Sequence, residues 1–143
     1  MPTLTRWFIK SSLIYFIAAL LLALVLALRP LLDLPNFVVY LTPAYFHLFM
    51  VGWVTQMIFG VIYWMFPIIT RDRPRGSVGM GWAAYAMLNV GLWLRVAGEP
   101  LVGVQSGQEW GWLLVISAVL QWLAGLLLVI NSWPRVKERY RGE

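Results

Sequence analysis

From Pro43 to Pro67 the chain reads PAYFHLFMVGWVTQMIFGVIYWMFP, without one charged residue. A helix of that length crosses a bilayer, which needs about 20 apolar residues at about 1.5 Å rise each. The same stretch holds the only histidine of the chain, His47. A lone imidazole in such a helix needs a partner, and the identity of that partner is the functional question the sequence poses.

Three further apolar runs flank this one, at about residues 7–28, 78–97 and 110–133. Only 12% of the 143 residues are charged, where a soluble domain carries roughly 25%. The chain therefore reads as an all-α membrane protein, one domain of four transmembrane helices, with the second at about 43–69. The first run has a passable cleavage site at Val25-Leu26-Ala27, as a signal peptide does. It is read as a retained helix. Residues 29–41 and 98–108 read as loops, on their prolines, glycines and Asn36. Pro67 is expected to kink or end the second helix. Gly79, Gly81, Ala83, Ala84, Ala86 and Gly91 equip the third for close approach to a neighbour.

The cations fix the expected orientation. Arg6 and Lys10 precede the core of the first run; Arg71, Arg73 and Arg75 occupy the second loop; Arg135, Lys137, Arg139 and Arg141 crowd the tail. The first loop has Arg29 alone, and the third has none but carries Glu99 and Glu109. The positive-inside rule puts both termini and the second loop in the cytoplasm, in a multi-pass protein of the cytoplasmic membrane. The net charge of +5 thus reports membrane topology and gives no indication of nucleic acid. No cysteine is present, which excludes thiol chemistry, iron–sulfur ligation and covalent haem attachment.

In this orientation His47 lies about one turn inside the outer interface. Arg29 and Arg95 lie on the same side. Each has two readings: pairing with Asp33, Glu99 or Glu109, or meeting an anionic ligand near His47. His47 itself has four. It bonds a neighbouring helix; it relays protons, although the four runs contain no carboxylate; it binds a transition metal, which takes three copies in a trimer; or it is an axial ligand of haem. The flat aromatic surface of Phe46, Phe49, Trp53, Phe59, Tyr63, Trp64 and Phe66 favours haem. So does the Gly52–Gly60 pair, which leaves room for something broad and thin, with Gln56 near the same stripe. Arg29 and Arg95 then meet the propionates.

The string HLFMVGWVTQMIFGVIYWMFP resembles the second helix of subunit I of haem–copper oxidases and nitric oxide reductases, and the chain is similar to short four-helix subunit I-like proteins. The Asn89…Gly91…Arg95 pattern of the third helix is similar to those short relatives too. The resemblance implies that His47 is an axial ligand of a low-spin b-type haem, in a fold like one four-helix arc of the larger core. The histidines of the family's copper site and second haem are missing, so a complete oxidase or reductase is not expected. The implied role is electron transfer or small-gas binding, alongside a respiratory-chain partner. With one histidine per chain, bis-histidine ligation requires a second copy, in a dimer or trimer; otherwise the haem is five-coordinate, or takes Met50 or another side chain as sixth ligand. The alternative is a non-catalytic structural or assembly subunit of a respiratory complex. A four-helix multidrug-type transporter is disfavoured by the lack of an intramembrane carboxylate.

Overall fold

The computed structural model describes residues 1–69, 71, 74–105 and 110–136. Arg73, Glu109 and the tail cations Lys137, Arg139 and Arg141 lie outside the described residues. Everything regular within them is helical. α1 spans Thr3–Leu32. A 3-10 segment, Asn36–Leu41, leads into α2, Thr42–His47. A π-helix, Leu48–Thr55, follows without a break and passes into α3, Gln56–Met65. α4 is Val78–Val104 and α5 is Gly111–Ser132, closed by a 3-10 turn at Trp133–Arg135.

The result is four rods, as expected, but with different ends. α1 runs through Pro30 and stops at Asp33, whose left-handed backbone (φ 48°) lets its N–H return to the Arg29 carbonyl. The first loop expected from residue 29 is therefore largely helical. The third helix, expected to end at 97, continues through Pro100 to Val104. Packing outweighs the proline there: Gly98 lies against Leu113 and Leu114, and Gly103 against the Tyr40 ring. At the other end of the second rod Pro67 acts as expected. Phe66, the residue before it, is extended (ψ 146°) and the helix stops.

Glycines set the spacing between rods. A Cβ on Gly52 would stand 2.9 Å from both Tyr15 and Leu92, and one on Gly60 2.9 Å from Phe8. Gly81 meets Leu4 and Tyr63, while Gly91 meets Ser117 and Gln121. α1 thus packs chiefly on the second rod and α4 chiefly on α5, with successive rods antiparallel. Both Thr3 and Arg135 lie at the end where the second rod finishes; Arg29, His47 and Glu99 lie at the opposite end.

Three rods, Thr3–Leu32, Asn36–Met65 and Gly111–Arg135, are long and apolar enough to cross a membrane. Their outward faces carry rows of exposed aliphatic and aromatic side chains, such as Ile14, Ile17, Leu21 and Leu24 on α1, and Trp112, Val115, Val119 and Trp122 on α5. α4 is the more polar rod, with Asn89, Arg95 and Glu99, and it touches every other rod.

Several polar groups inside the bundle are bonded to each other. The Tyr15 hydroxyl donates to Asn89 Oδ1 (2.7 Å), and Asn89 Nδ2 donates to the Tyr85 carbonyl (2.8 Å). Tyr85 and Gln56 both donate to Ser11 Oγ, and Ser117 Oγ donates to the Gly91 carbonyl (2.6 Å). Such bonds hold helices together where hydrophobic burial gives no preference between lipid and protein.

Candidate functional site

His47 is the last residue of α2, where the α-helix gives way to the π-helix. Its Nδ1 lies 3.0 Å from the carbonyl oxygen of Pro43, one turn earlier, and 3.0 Å from Oε1 of Glu99 on α4. Both neighbours are acceptors, so Nδ1 carries the proton. In the neutral ring Nε2 then holds the free lone pair. A carbonyl or carboxylate behind one ring nitrogen, with the other left basic, is the arrangement in which metal-binding histidines are held. Because Nδ1 is turned toward α4, Nε2 points away from it. The His47 side chain retains 29% exposure, and its neighbours Phe46 and Met50 are exposed.

Glu99 is the more buried partner, with 8% of its side chain exposed. Arg95, one turn earlier on α4, brings Nε to 4.0 Å from the same Oε1. That distance gives charge attraction without a hydrogen bond. The second oxygen, Oε2, is buried and unpartnered. Glu99 also lines an apolar cavity of about 570 Å³, between Val39, Tyr40, Thr42 and Pro43 on one side and Val102, Gly103 and Leu114 on the other.

The structure thus unites His47 with Arg95, through Glu99. Of the expected partners for Arg95 that are described, Asp33 and Glu99, it is Glu99 that lies beside it; Glu109 lies outside the described residues. Glu99 also supplies the carboxylate that the four runs lacked, because α4 extends past residue 97. Arg29 is elsewhere: its Nη2 donates to Asn36 Oδ1 (3.1 Å), beside Pro30 and Asp33. Met50 faces outward, one turn beyond His47. Gly52 and Gln56 face inward. The furrow of Gly52 and Gly60 is filled by Tyr15, Leu92 and Phe8 of the same chain, so it has no room for a flat ring. Gln56 is fully buried and bonded to Ser11.

The π-helix is the feature that sequence reasoning missed. It is eight residues long, whereas such helices usually occur as single turns, frequently at functional sites. Thr55 Oγ1, donating to the Met50 carbonyl five residues back (2.8 Å), supports the wider turn. The widening stacks Phe49 and Trp53 edge to face (4.8 Å) and lays Phe16 of α1 on Trp53 (4.1 Å). Nothing in the residue order distinguishes this stretch from an α-helix. Among the described residues no group of three or more His, Cys, Asp or Glu side chains stands close enough to hold a metal ion. No family model, curated protein or solved structure matches the chain.

Proposed function

We propose that the chain is a b-type haem-binding protein of the cytoplasmic membrane, with His47 as an axial ligand, serving electron transfer or small-gas binding. The observation that carries this reading is the Nδ1 of His47 held between Pro43 and Glu99 in a side chain that stays 29% exposed, which leaves Nε2 as the basic nitrogen. A single imidazole suffices for one axial position of a haem, where other transition-metal sites take several protein ligands. The fit has a condition. With the Gly52–Gly60 furrow filled, Phe46 and Met50 on the outward face of the second rod are the residues that would meet a haem held by His47.

That condition favours an oligomer. Met50 stands one turn from His47 on the same rod, hence on the same side of any ring that His47 holds. Any further protein ligand to a bound haem would then have to come from a second copy. Bound haem supplies a one-electron iron couple; this chain fixes the imidazole tautomer and raises its basicity through Glu99. Arg95 and Arg29, at the same end of the bundle, are available to propionates or to a respiratory-chain partner.

The charge distribution supports an orientation with both termini and the second loop in the cytoplasm. Arg6, Lys10, Arg71, Arg75 and Arg135 lie at one end, and only Arg29 and Arg95 at the other. A second reading, a structural or assembly subunit, is favoured by the same triad: His47 and Glu99 tie α2 to α4 with no ligand needed.

Absorption spectroscopy on protein purified from haem-replete cells separates the two. Expected is a Soret band that shifts on reduction and disappears in His47→Ala, with the variant still helical by circular dichroism. A colourless wild-type protein overturns the haem reading and leaves the structural one.

A further inference from the structure

At the opposite end of the bundle a buried arginine, Arg135, and a half-buried one, Arg75, have no counter-charge among the described residues. Arg135 is fully buried. Its Nε donates to the Pro67 carbonyl (3.0 Å) and its Nη2 to the Phe66 carbonyl (2.6 Å), where the second rod ends. The guanidinium lies about 6 Å from the Tyr63 and Phe66 ring centres. Two of its nitrogens thus bond the carbonyls just past the end of the second rod, and Nη1 is left buried and unpartnered. Arg75 is in the same condition at Nε. The two charges act on one another and on Tyr63. No carboxylate among the described residues pairs with either.

Arg75, Tyr63 and Trp82 line one cavity of about 670 Å³, together with Thr3, Gly76 and Ser77. Ser77 caps α4, accepting from the Met80 N–H (3.3 Å), so the positive end of a long helix opens on the same space. The turn is not loose. Asn131 of α5 accepts from the Ser77 N–H (2.8 Å) and donates to the Arg75 carbonyl (3.4 Å), which fixes the backbone of Arg75 over the cavity.

Burying a guanidinium with an unmade hydrogen bond is costly, and facing it with a second cation costs more. An anion in the cavity, which Arg75 lines and Arg135 does not, gives Arg75 a partner and offsets the repulsion between the two guanidiniums. We propose that this cavity is a phosphate-type anion site at the cytoplasmic end of the bundle, with Arg75 as the contacting cation, Arg135 reinforcing it from behind Tyr63, and the α4 N-terminus completing it. The ligand chemistry is a phosphate mono- or diester, from an inner-leaflet lipid headgroup or from a free phosphate. The site is independent of the haem reading.

The test is native mass spectrometry of the full chain in phosphate-free detergent. It is titrated separately with phosphatidylglycerol, with inorganic phosphate, and with diacylglycerol as the phosphate-free control. One anion per chain is expected, weakened about tenfold by Arg75→Gln, the scale of one charge-assisted hydrogen bond. Arg71→Gln removes the same charge from an exposed position on that turn and is expected to change binding less than about twofold. Retention of the lipid alone assigns a headgroup, and retention of phosphate alone assigns a free anion. Binding of neither, equal retention of diacylglycerol, or equal effects of Arg71→Gln and Arg75→Gln overturns the proposal. Arg135 is left intact because it caps the second rod.

Discussion

Nδ1 of His47 and Oε1 of Glu99 approach to 3.0 Å across the gap between α2 and α4, and Arg95 leans on the same oxygen at 4.0 Å. Glu99→Gln keeps the shape and an acceptor oxygen but removes the charge. Arg95, whose Nε has no hydrogen bond to replace it, is then left facing a neutral amide. The variant is expected to lose about 1–3 kcal/mol of unfolding free energy, measured by denaturant titration in mild detergent. Arg95→Gln alone and the double variant complete a cycle. The double variant is expected to lose less than the sum of the two singles; strict additivity would show that the two groups do not interact.

Gly52 and Gly60 are contact points between the second rod and α1. Gly52→Ala drives a methyl group to 2.9 Å from Tyr15 and Leu92, an overpacking expected to cost about 1–3 kcal/mol. Gly125→Ala on α5 meets nothing within 4 Å and is expected to be neutral or to gain up to about 1 kcal/mol from helix propensity. Equal melting temperatures for the two variants would mean that Tyr15 does not fill the furrow, and would restore it as a seat for a flat ligand.

That furrow shows where sequence reasoning stops. Two glycines eight residues apart mark a close approach in any membrane helix, but spacing does not say whether a ligand or a neighbouring helix comes close. The four rods themselves were legible, because long apolar runs with at most one charge have few other solutions. Their ends were less so. Pro30 and Pro100 are helix breakers by local rule, yet α1 and α4 pass through both, since a proline near a helix end sacrifices one hydrogen bond and packing at Gly98 and Gly103 compensates. His47 was identifiable as the one titratable group of its stretch, and Arg95 as a cation needing a partner. The bond that joins them through Glu99 was not, because residue 99 belonged to an expected loop. The pairing of Arg135 with the end of the second rod joins residues far apart in the chain, and local pattern is silent on it.

Gly76 has a left-handed backbone (φ 71°), and a Cβ there would come within 2.5 Å of Asn131 Oδ1. Gly76→Ala therefore combines backbone strain with a clash against the side chain that clamps the turn. A loss of about 1–3 kcal/mol is expected, read as a lower melting temperature in detergent. Asn131→Ala removes the clamp without the strain and is expected to cost about 1 kcal/mol per lost hydrogen bond. A Gly76→Ala protein as stable as wild type would place the turn in another conformation, and the Arg75 site with it.

The chain has no cysteine, so single introduced thiols report orientation without background. Asp33 lies at the Arg29–His47 end, beyond α1, and Arg71 is exposed at the other end, between α3 and α4. With both termini cytoplasmic, Asp33→Cys is expected to react with a membrane-impermeant maleimide in intact cells, whereas Arg71→Cys reacts only after the membrane is opened. The reversed pattern would put His47 and Glu99 at the cytoplasmic face and the paired arginines outside, against the lysine and arginine bias of the loops. Labelling of both thiols in intact cells would mean that the second rod does not cross at all. Under the proposed function the orientation sets which compartment exchanges electrons or gas with a haem on His47, and under the proposed anion site it sets which leaflet offers its headgroups to Arg75.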